Sequence, residues 1–190
     1  MKDLLEIRWH GRGGQGAKTA AQFLAEAALG LGKSIQAFPE YGPERAGAPI
    51  RTYTRISDKS IRVHSPITNP DIVAVIDPTL LDTVNVTDGL TDRGVLIINT
   101  PEGVDTIRKK TGFTKGKIGV CDATKIALET LGKPIPNMPI LGALLKAKPV
   151  VTVESVEEEV KKKFLKKIGE EKTNANMKAI RRAFEEVKIG

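Results

Sequence analysis

Apolar and polar positions along the chain alternate between two rhythms, one with the period of a strand and one with the period of a helix. Residues 4–9 read as a strand, and a glycine-rich turn follows at 11–16. Residues 17–31 then read as a helix, with Ala20, Leu24, Ala28 and Leu31 on one face and Gly30 and Gly32 at its end. A second strand is expected at 34–38. Residues 39–49, punctuated by Pro and Gly, form a shaped loop, and 50–57 alternate as a third strand. Asp58-Lys59 is a candidate turn that would bring 60–64 back antiparallel. The unbroken β-branched runs at 72–76 and 95–98 predict central strands buried on both faces.

Helical stretches are expected near 79–84, 102–110 and 124–131, with a further short strand at 117–121. From Pro139 onward the pattern is almost entirely helical. It has an apolar segment at 140–145 and amphipathic helices near 153–168 and 174–187, set off from the rest by Pro134, Pro136 and Pro139. Strands alternating with helices over short connections predict an α/β fold. The expected form is three-layer α/β/α with a mixed, mostly parallel sheet, an antiparallel hairpin and a helical C-terminal region. With 190 residues and no linker or repeat, one domain over 1–190 is expected.

The formal charge of +7 suits nucleic acid, an acidic ligand or an acidic partner. Its distribution disfavours nucleic acid, because residues 146–190 hold twelve basic and eight acidic side chains in alternating blocks. Glu157 with Lys161, Glu158 with Lys162 and Glu159 with Lys163 have the i,i+4 spacing of a solvated helix face. Lys2, Asp3, Glu6 and Arg8 interrupt any apolar leader, and no apolar run approaches the length of a membrane span. A cytoplasmic chain with neither a nucleic-acid nor a membrane partner is expected. Cys121 is the lone cysteine, so an internal disulfide or a cluster held by this chain alone is excluded.

Candidate chemistry concentrates in Gly11, Arg12, Gly13, Gly14, Gln15, Gly16, Ala17 and Lys18, between the first strand and the first helix. Such a loop can aim backbone N–H groups at an anion from a positive helix terminus. The same glycines could serve only to pack a helix or a subunit closely against the sheet. Gly11, Gly13 and Gly16 fit G-x-G-x-x-G, and Glu40 follows the second strand, as in a dinucleotide fold. However, the second strand leads into a hairpin where a Rossmann fold would enter a helix. A phosphate-loop NTPase fails on register, because Ala17 stands where the essential Lys belongs and Lys18 is swung by about 100°. His10 reads as a hydrogen-bonding residue, His64 has no sequence partner, Cys121 reads as a buried inert thiol and Asp77 as a strand-end cap. No nucleophile, base and orienting group form a set, so the chain is expected not to complete an active site alone.

The segment His10-Gly11-Arg12-Gly13-Gly14-Gln15-Gly16, running into a small-residue helix, resembles the gamma subunits of 2-oxoacid:ferredoxin oxidoreductases. The resemblance continues through Gln36-Ala37-Phe38-Pro39-Glu40-Tyr41-Gly42-Pro43-Glu44-Arg45-Ala46-Gly47-Ala48-Pro49, then Asn69-Pro70-Asp71, Ile76-Asp77, Asn99-Thr100, Asp122-Ala123-Thr124 and Leu141-Gly142-Ala143. Within that family the chain is most similar to the pyruvate branch, with ketoisovalerate enzymes closely related. The resemblance implies a complex with alpha, beta and delta-type subunits that exchanges electrons with ferredoxin. It also implies thiamine diphosphate, magnesium and iron–sulfur clusters in the partner subunits, none bound by this chain alone, and coenzyme A beside the glycine loop. Thr87-Asp88-Gly89 is only a fragment of a thiamine motif, and one Cys cannot supply the four thiolates of a cubane cluster. Glu40, Tyr41, Arg45 and Pro49 are expected at a subunit interface, because Tyr and Arg favour interfaces and prolines hold the loop's shape in advance. Glu40 and Glu44 are expected to pair with Arg45. A freestanding nucleotide- or coenzyme-binding protein and a purely architectural spacer are the competing classes.

Overall fold

The computed structural model describes residues 3–40 and 47–190. The chain folds into a seven-stranded mixed sheet with helices on both faces. The strands are β1 (Leu4–Arg12), β2 (Ser34–Pro39), β3 (Pro49–Ser57), β4 (Ile72–Val75), β5 (Val95–Asn99), β6 (Lys117–Cys121) and β7 (Lys188–Ile189), in the spatial order β2-β3-β1-β4-β5-β6-β7. β1, β4, β5 and β6 run parallel to one another, whereas β3 is antiparallel to both β1 and β2.

The predicted hairpin partner of β3 is corrected. Residues 60–64 form no strand, because β2 occupies one edge of β3 and β1 the other, leaving no free ladder. The excursion is held instead by buried Arg55. Its guanidinium donates to the carbonyls of Val63 (3.3 Å) and Ser65 (2.7 Å) and pairs with Glu6 at 3.0 Å. β7 escaped sequence recognition because two residues carry no periodicity, yet it closes the far edge antiparallel to β6.

Two hydrophobic layers flank the sheet. Ile7, Trp9, Ile72, Ala74, Ile76, Val95 and Ile97 face a thick helical layer. That layer contains α1 (Ala17–Gly30), α3 (Ala123–Leu131), α4 (Asn137–Ala147), α5 (Val153–Ile168) and α6 (Glu170–Glu186). On the opposite face Val73, Val75, Leu96, Ile98, Ile118 and Val120 pack under a 3-10 turn at Pro78–Asp82 and α2 (Val104–Thr111). In α1, Ala20, Leu24 and Ala28 are fully buried as expected, but Leu31 caps the helix end and is exposed.

α4 is apolar on nearly every side and lies at the centre of the helical layer. Gly142 lets it cross α6 at backbone contact, since a Cβ there would stand 2.1 Å from the Ile180 carbonyl oxygen. The three i,i+4 ion pairs expected along α5 are also corrected. Glu157 is held by both guanidinium arms of Arg181 on α6 (2.6 Å each), Lys163 reaches Glu26 on α1 (2.5 Å), and Lys162 takes Glu159 at i,i+3 (2.6 Å). Charges that periodicity assigns to solvent therefore tie α5 to its neighbours. No helix among the described residues is long and apolar enough to cross a membrane.

Gly142→Ala forces either a backbone shift or separation of α4 from α6. It is expected to lower unfolding stability by about 1–3 kcal/mol, measured by thermal or denaturant unfolding of the full chain.

Candidate functional site

Parallel β1 and β4 lie side by side, and the connections leaving their carboxyl ends travel in opposite directions across the sheet. Open α/β sheets present a crevice at such a point. The glycine loop follows β1, and Asp77-Pro78-Thr79 follows β4, so topology brings the two together. The other sequence landmarks, Asn99-Thr100 and Asp122-Ala123-Thr124, stand at the carboxyl ends of β5 and β6 along the same rim. There Asn99 Nδ2 donates to the Ile76 carbonyl (2.9 Å), and Asn99 Oδ1 accepts from the Thr124 N–H (3.1 Å).

One carboxylate organises the crevice. Asp77 Oδ1 accepts from the N–H and hydroxyl of Thr79 (2.9 and 2.5 Å), while Oδ2 accepts from Gln15 Nε2 (2.6 Å) and stands 3.3 Å from Arg12 Nε. Burial works to raise the pKa of Asp77, but the bonds from Thr79 and Gln15 and the charge of Arg12 outweigh it and leave it below the usual carboxylate value. Gln15 returns its amide oxygen to the Arg12 N–H at 2.7 Å, and Arg12 also donates to the Thr79 hydroxyl (2.9 Å) and the Gly47 carbonyl (3.2 Å). The loop is thus tied to β4 on one side and to the base of the β2–β3 connection on the other. Gly13 N–H donates to Ala48 (3.0 Å), and Gly47 N–H donates to Gly13 (3.3 Å).

The other side of the loop is open. Gly16 caps α1 in the left-handed region (φ 80°), with no side-chain cap and no acidic residue in the first turn. Among the described residues, the N–H groups of Gly14, Gly16, Ala17, Lys18 and Thr19 meet no acceptor. This leaves a positive helix terminus with orphan donors. Gly16 is required twice, by its φ and because a Cβ would stand 2.4 Å from Asn137 Nδ2, which donates to the Gly16 carbonyl at 3.1 Å. Lys18 is exposed beside these donors, while Gly11 and Ala17 are buried beneath them.

Behind the loop, the face of β1 and β3 opposite the thick helical layer is polar. Arg8 is buried, donating to His10 Nε2 (3.1 Å) and to the carbonyls of Val86 and Asp88. His10 is the hydrogen-bonding residue its position predicted, and burial together with Arg8 and Arg51 lowers its pKa to about 3. It is therefore neutral and an acceptor, not a proton donor at neutral pH. Glu40 is corrected. It is salt-bridged to Arg51 (2.8 Å) and hydrogen-bonded to Tyr53, whose hydroxyl is raised to about 12 by burial and by Glu40. Pro49 is exposed at the start of β3, opposite Arg12. Tyr41, Glu44 and Arg45 lie outside the described residues. Cys121 is buried and its thiol is pushed up to about 12, chiefly by burial. His64 is exposed. Among the described residues no cluster of three His, Cys, Asp or Glu side chains could hold a metal ion.

Asp77 is the strand-end cap its position predicted, while its hold on Gln15 and Arg12 and the contact of Asn137 with Gly16 are what sequence reasoning missed. Asp77 was legible only as a cap, and Asn137 meets Gly16 from 121 residues away. A usable signal existed for Asp77, since strands predicted parallel and adjacent bring their carboxyl-end residues together.

The crevice at the switch point, the glycine loop and the antiparallel β2–β3 hairpin that takes the place of a crossover helix after β2 define an α/β protein distinct from the dinucleotide folds. The sequence matches the profile of the pyruvate ferredoxin/flavodoxin oxidoreductase family over residues 6–186, and the chain belongs to that family. A pyruvate synthase subunit PorC of Thermotoga maritima is 54% identical over 98% of this chain and 96% of its own. The common gamma subunit of the pyruvate/ketoisovalerate oxidoreductases of Thermococcus litoralis is 50% identical, covering 98% of each chain. The crystal structure of pyruvate oxidoreductase subunit PORC from Thermotoga maritima superposes with a TM-score of 0.89 at 49% identity, over 100% of this chain and 99% of that one.

Two outcomes are expected. Asp77→Asn removes the charge that holds Arg12 and weakens the Gln15 bond, so stability should fall by about 1–3 kcal/mol, read by thermal unfolding. For His10 the folded pKa of about 3 lies below the ordinary 6.5, so the unfolded chain takes up its proton first on acidification. Its contribution is complete above about pH 6.5 and is lost as pH falls toward 3, with a slope of up to about 1.4 kcal/mol per pH unit. Comparing the pH dependence of unfolding in wild type and His10→Gln isolates that slope, which the variant should lack.

Proposed function

We propose that the chain is the gamma subunit of a multisubunit pyruvate:ferredoxin oxidoreductase. The assembled enzyme converts pyruvate, coenzyme A and oxidised ferredoxin reversibly to acetyl-coenzyme A, carbon dioxide and reduced ferredoxin. The observation that carries this reading is end-to-end similarity to pyruvate synthase subunits at 54% identity, with the same fold. A branched-chain, ketoisovalerate-type complex is the second reading, because a relative at 50% identity is a subunit common to both oxidoreductases.

The partners in this reading are alpha, beta and delta-type subunits, with ferredoxin meeting the complex rather than this chain. Thiamine diphosphate, magnesium and iron–sulfur clusters belong to those partners. This chain has a single, buried thiol with a raised pKa, and a cluster takes four thiolates. The thiamine diphosphate supplies the decarboxylation chemistry when bound in its own subunit. This chain's share is binding. The unbonded N–H groups of Gly14, Gly16, Ala17, Lys18 and Thr19 form a cradle suited to the phosphates of coenzyme A. Asp77 fixes the loop's shape through Arg12 and Gln15, and Arg12 keeps the cradle's field positive. Glu40 and Pro49 are assigned, with Tyr41 and Arg45, to a subunit interface.

Reconstitution with the partner subunits, assayed on pyruvate and on branched 2-oxoacids, decides the substrate. Preference for pyruvate is expected, and equal or greater turnover of branched acids favours the second reading. In the same complex Arg12→Glu should raise the KM for coenzyme A about tenfold. An unchanged KM with full activity would reject the cradle. Defective assembly with normal coenzyme A affinity would assign the loop to architecture alone.

A further inference from the structure

β2 lies at one edge of the sheet and pairs only with β3. Its register fixes which backbone groups are spent. Glu40 N–H donates to the Arg51 carbonyl at 2.9 Å, continuing the antiparallel ladder as a hydrogen-bonded pair, so alternation assigns Phe38 and Gln36 to β3 as well. The N–H and C=O groups of Ile35 and Ala37 therefore point away from β3, and among the described residues no hydrogen bond reaches them. Beyond this stretch the edge is closed at both ends, because Lys33 N–H is taken by the Ala28 carbonyl (3.1 Å) and Pro39 has no N–H.

Open sheet edges are ordinarily guarded by charged side chains, bulges or prolines. Between Ser34 and Phe38 β2 has none of these, since the stretch is uncharged and its register with β3 is unbroken. Apolar surface borders the edge on both faces of the sheet. On one face α1 packs over β2 and β3, with Phe23 and Glu26 turned to α5. Leu29 stands about 120° around that helix from Phe23 and is 54% exposed. On the other face Arg55 Nη1 donates to both Gln36 Oε1 (3.2 Å) and the Val63 carbonyl (3.3 Å), which sets Val63, 44% exposed, beside β2.

We propose that a second copy of this chain pairs with β2 edge to edge, antiparallel about a two-fold axis through Gln36. The edge is its own complement under that operation. Ile35 of one copy exchanges its N–H and C=O with Ala37 of the other, and the axis repeats the exchange. The closed positions Lys33 and Pro39 then fall opposite each other, so no open donor faces a blocked one. Sliding the register by two residues would set Pro39 against Ile35, whose carbonyl would find no donor. A like copy also meets no like charge along β2, although the chain as a whole carries a formal +7. Leu29 and Val63 of both copies flank the seam, and the two seven-stranded sheets become one continuous sheet. The pairing does not depend on the coenzyme A cradle.

Sedimentation equilibrium of the purified full chain over a range of concentrations, combined with amide hydrogen exchange at Ile35 and Ala37, tests the pairing. A reversible dimer is expected, with exchange at both amides slowing as the dimer fills. Ala37→Pro removes an outward donor and leaves every bond to β3, at a place where an edge strand accepts proline. It is expected to raise the dimer dissociation constant about thirtyfold, with the far-ultraviolet circular dichroism of the chain unchanged. Leu29→Glu, which touches no backbone bond, is expected to raise that constant about tenfold. A chain that stays monomeric throughout, or a dimer whose constant neither variant moves, overturns the pairing. Protection of the two amides that appears only when the partner subunits are added also overturns it, and gives the edge to a strand of another subunit. Should Ala37→Pro fail to fold, Leu29→Glu decides, and an unchanged constant there overturns the proposal.

Discussion

The interaction on which the rest depends is the grip of Asp77 on the residues that follow β1. A glycine-rich segment with several unbonded N–H groups has little reason to keep one shape, since glycine loses the most conformational freedom on ordering. Asp77 supplies that reason through Gln15 and Arg12, reached across the β1–β4 ladder. Because β4 is fully buried and hydrogen-bonded on both edges, its carboxyl end is a rigid post. The loop inherits that rigidity on one side and, among the described residues, leaves the N–H groups of Gly14, Gly16, Ala17, Lys18 and Thr19 unbonded on the other.

The sheet's two halves are built on different principles. From β4 to β6 both faces are apolar, and burial of Val, Ile and Leu accounts for their cohesion. Under β1 and β3, one face instead carries Arg8, His10, Tyr53 and Arg55, buried yet bonded, with half-buried Glu6 beside them. Buried charge is costly unless every donor is met. Here the guanidinium groups meet backbone carbonyls of the excursions that cover them, Val86 and Asp88 for Arg8, Val63 and Ser65 for Arg55. Two irregular stretches are thereby fastened to the sheet without secondary structure of their own.

Most of the fold was legible from periodicity. β1, β2, β6, α3 and α5 lie close to where their patterns put them, because each buries a face against the sheet or a neighbouring helix. The failures share a cause. Residues 60–64 look like a returning strand, and only knowledge that β1 takes the free edge of β3 removes that possibility. The α5 charges look solvated until α1 and α6 arrive beside them. For the site, the glycines announced themselves, since their spacing is local. Asn137 did not, because nothing in its sequence neighbourhood reveals that it meets the Gly16 carbonyl from 121 residues away.

The reciprocal bonds between Gly13 and the Gly47-Ala48 pair make the root of the hairpin and the root of α1 one piece of backbone. Strain applied at either root is transmitted to the other without passing through side chains. Any protein that seats on the hairpin and displaces its root therefore changes the free energy of occupying the loop, and occupancy of the loop changes the grip on that protein by the same amount. In the complex proposed above, quaternary assembly and small-molecule affinity would be two readouts of a single thermodynamic quantity.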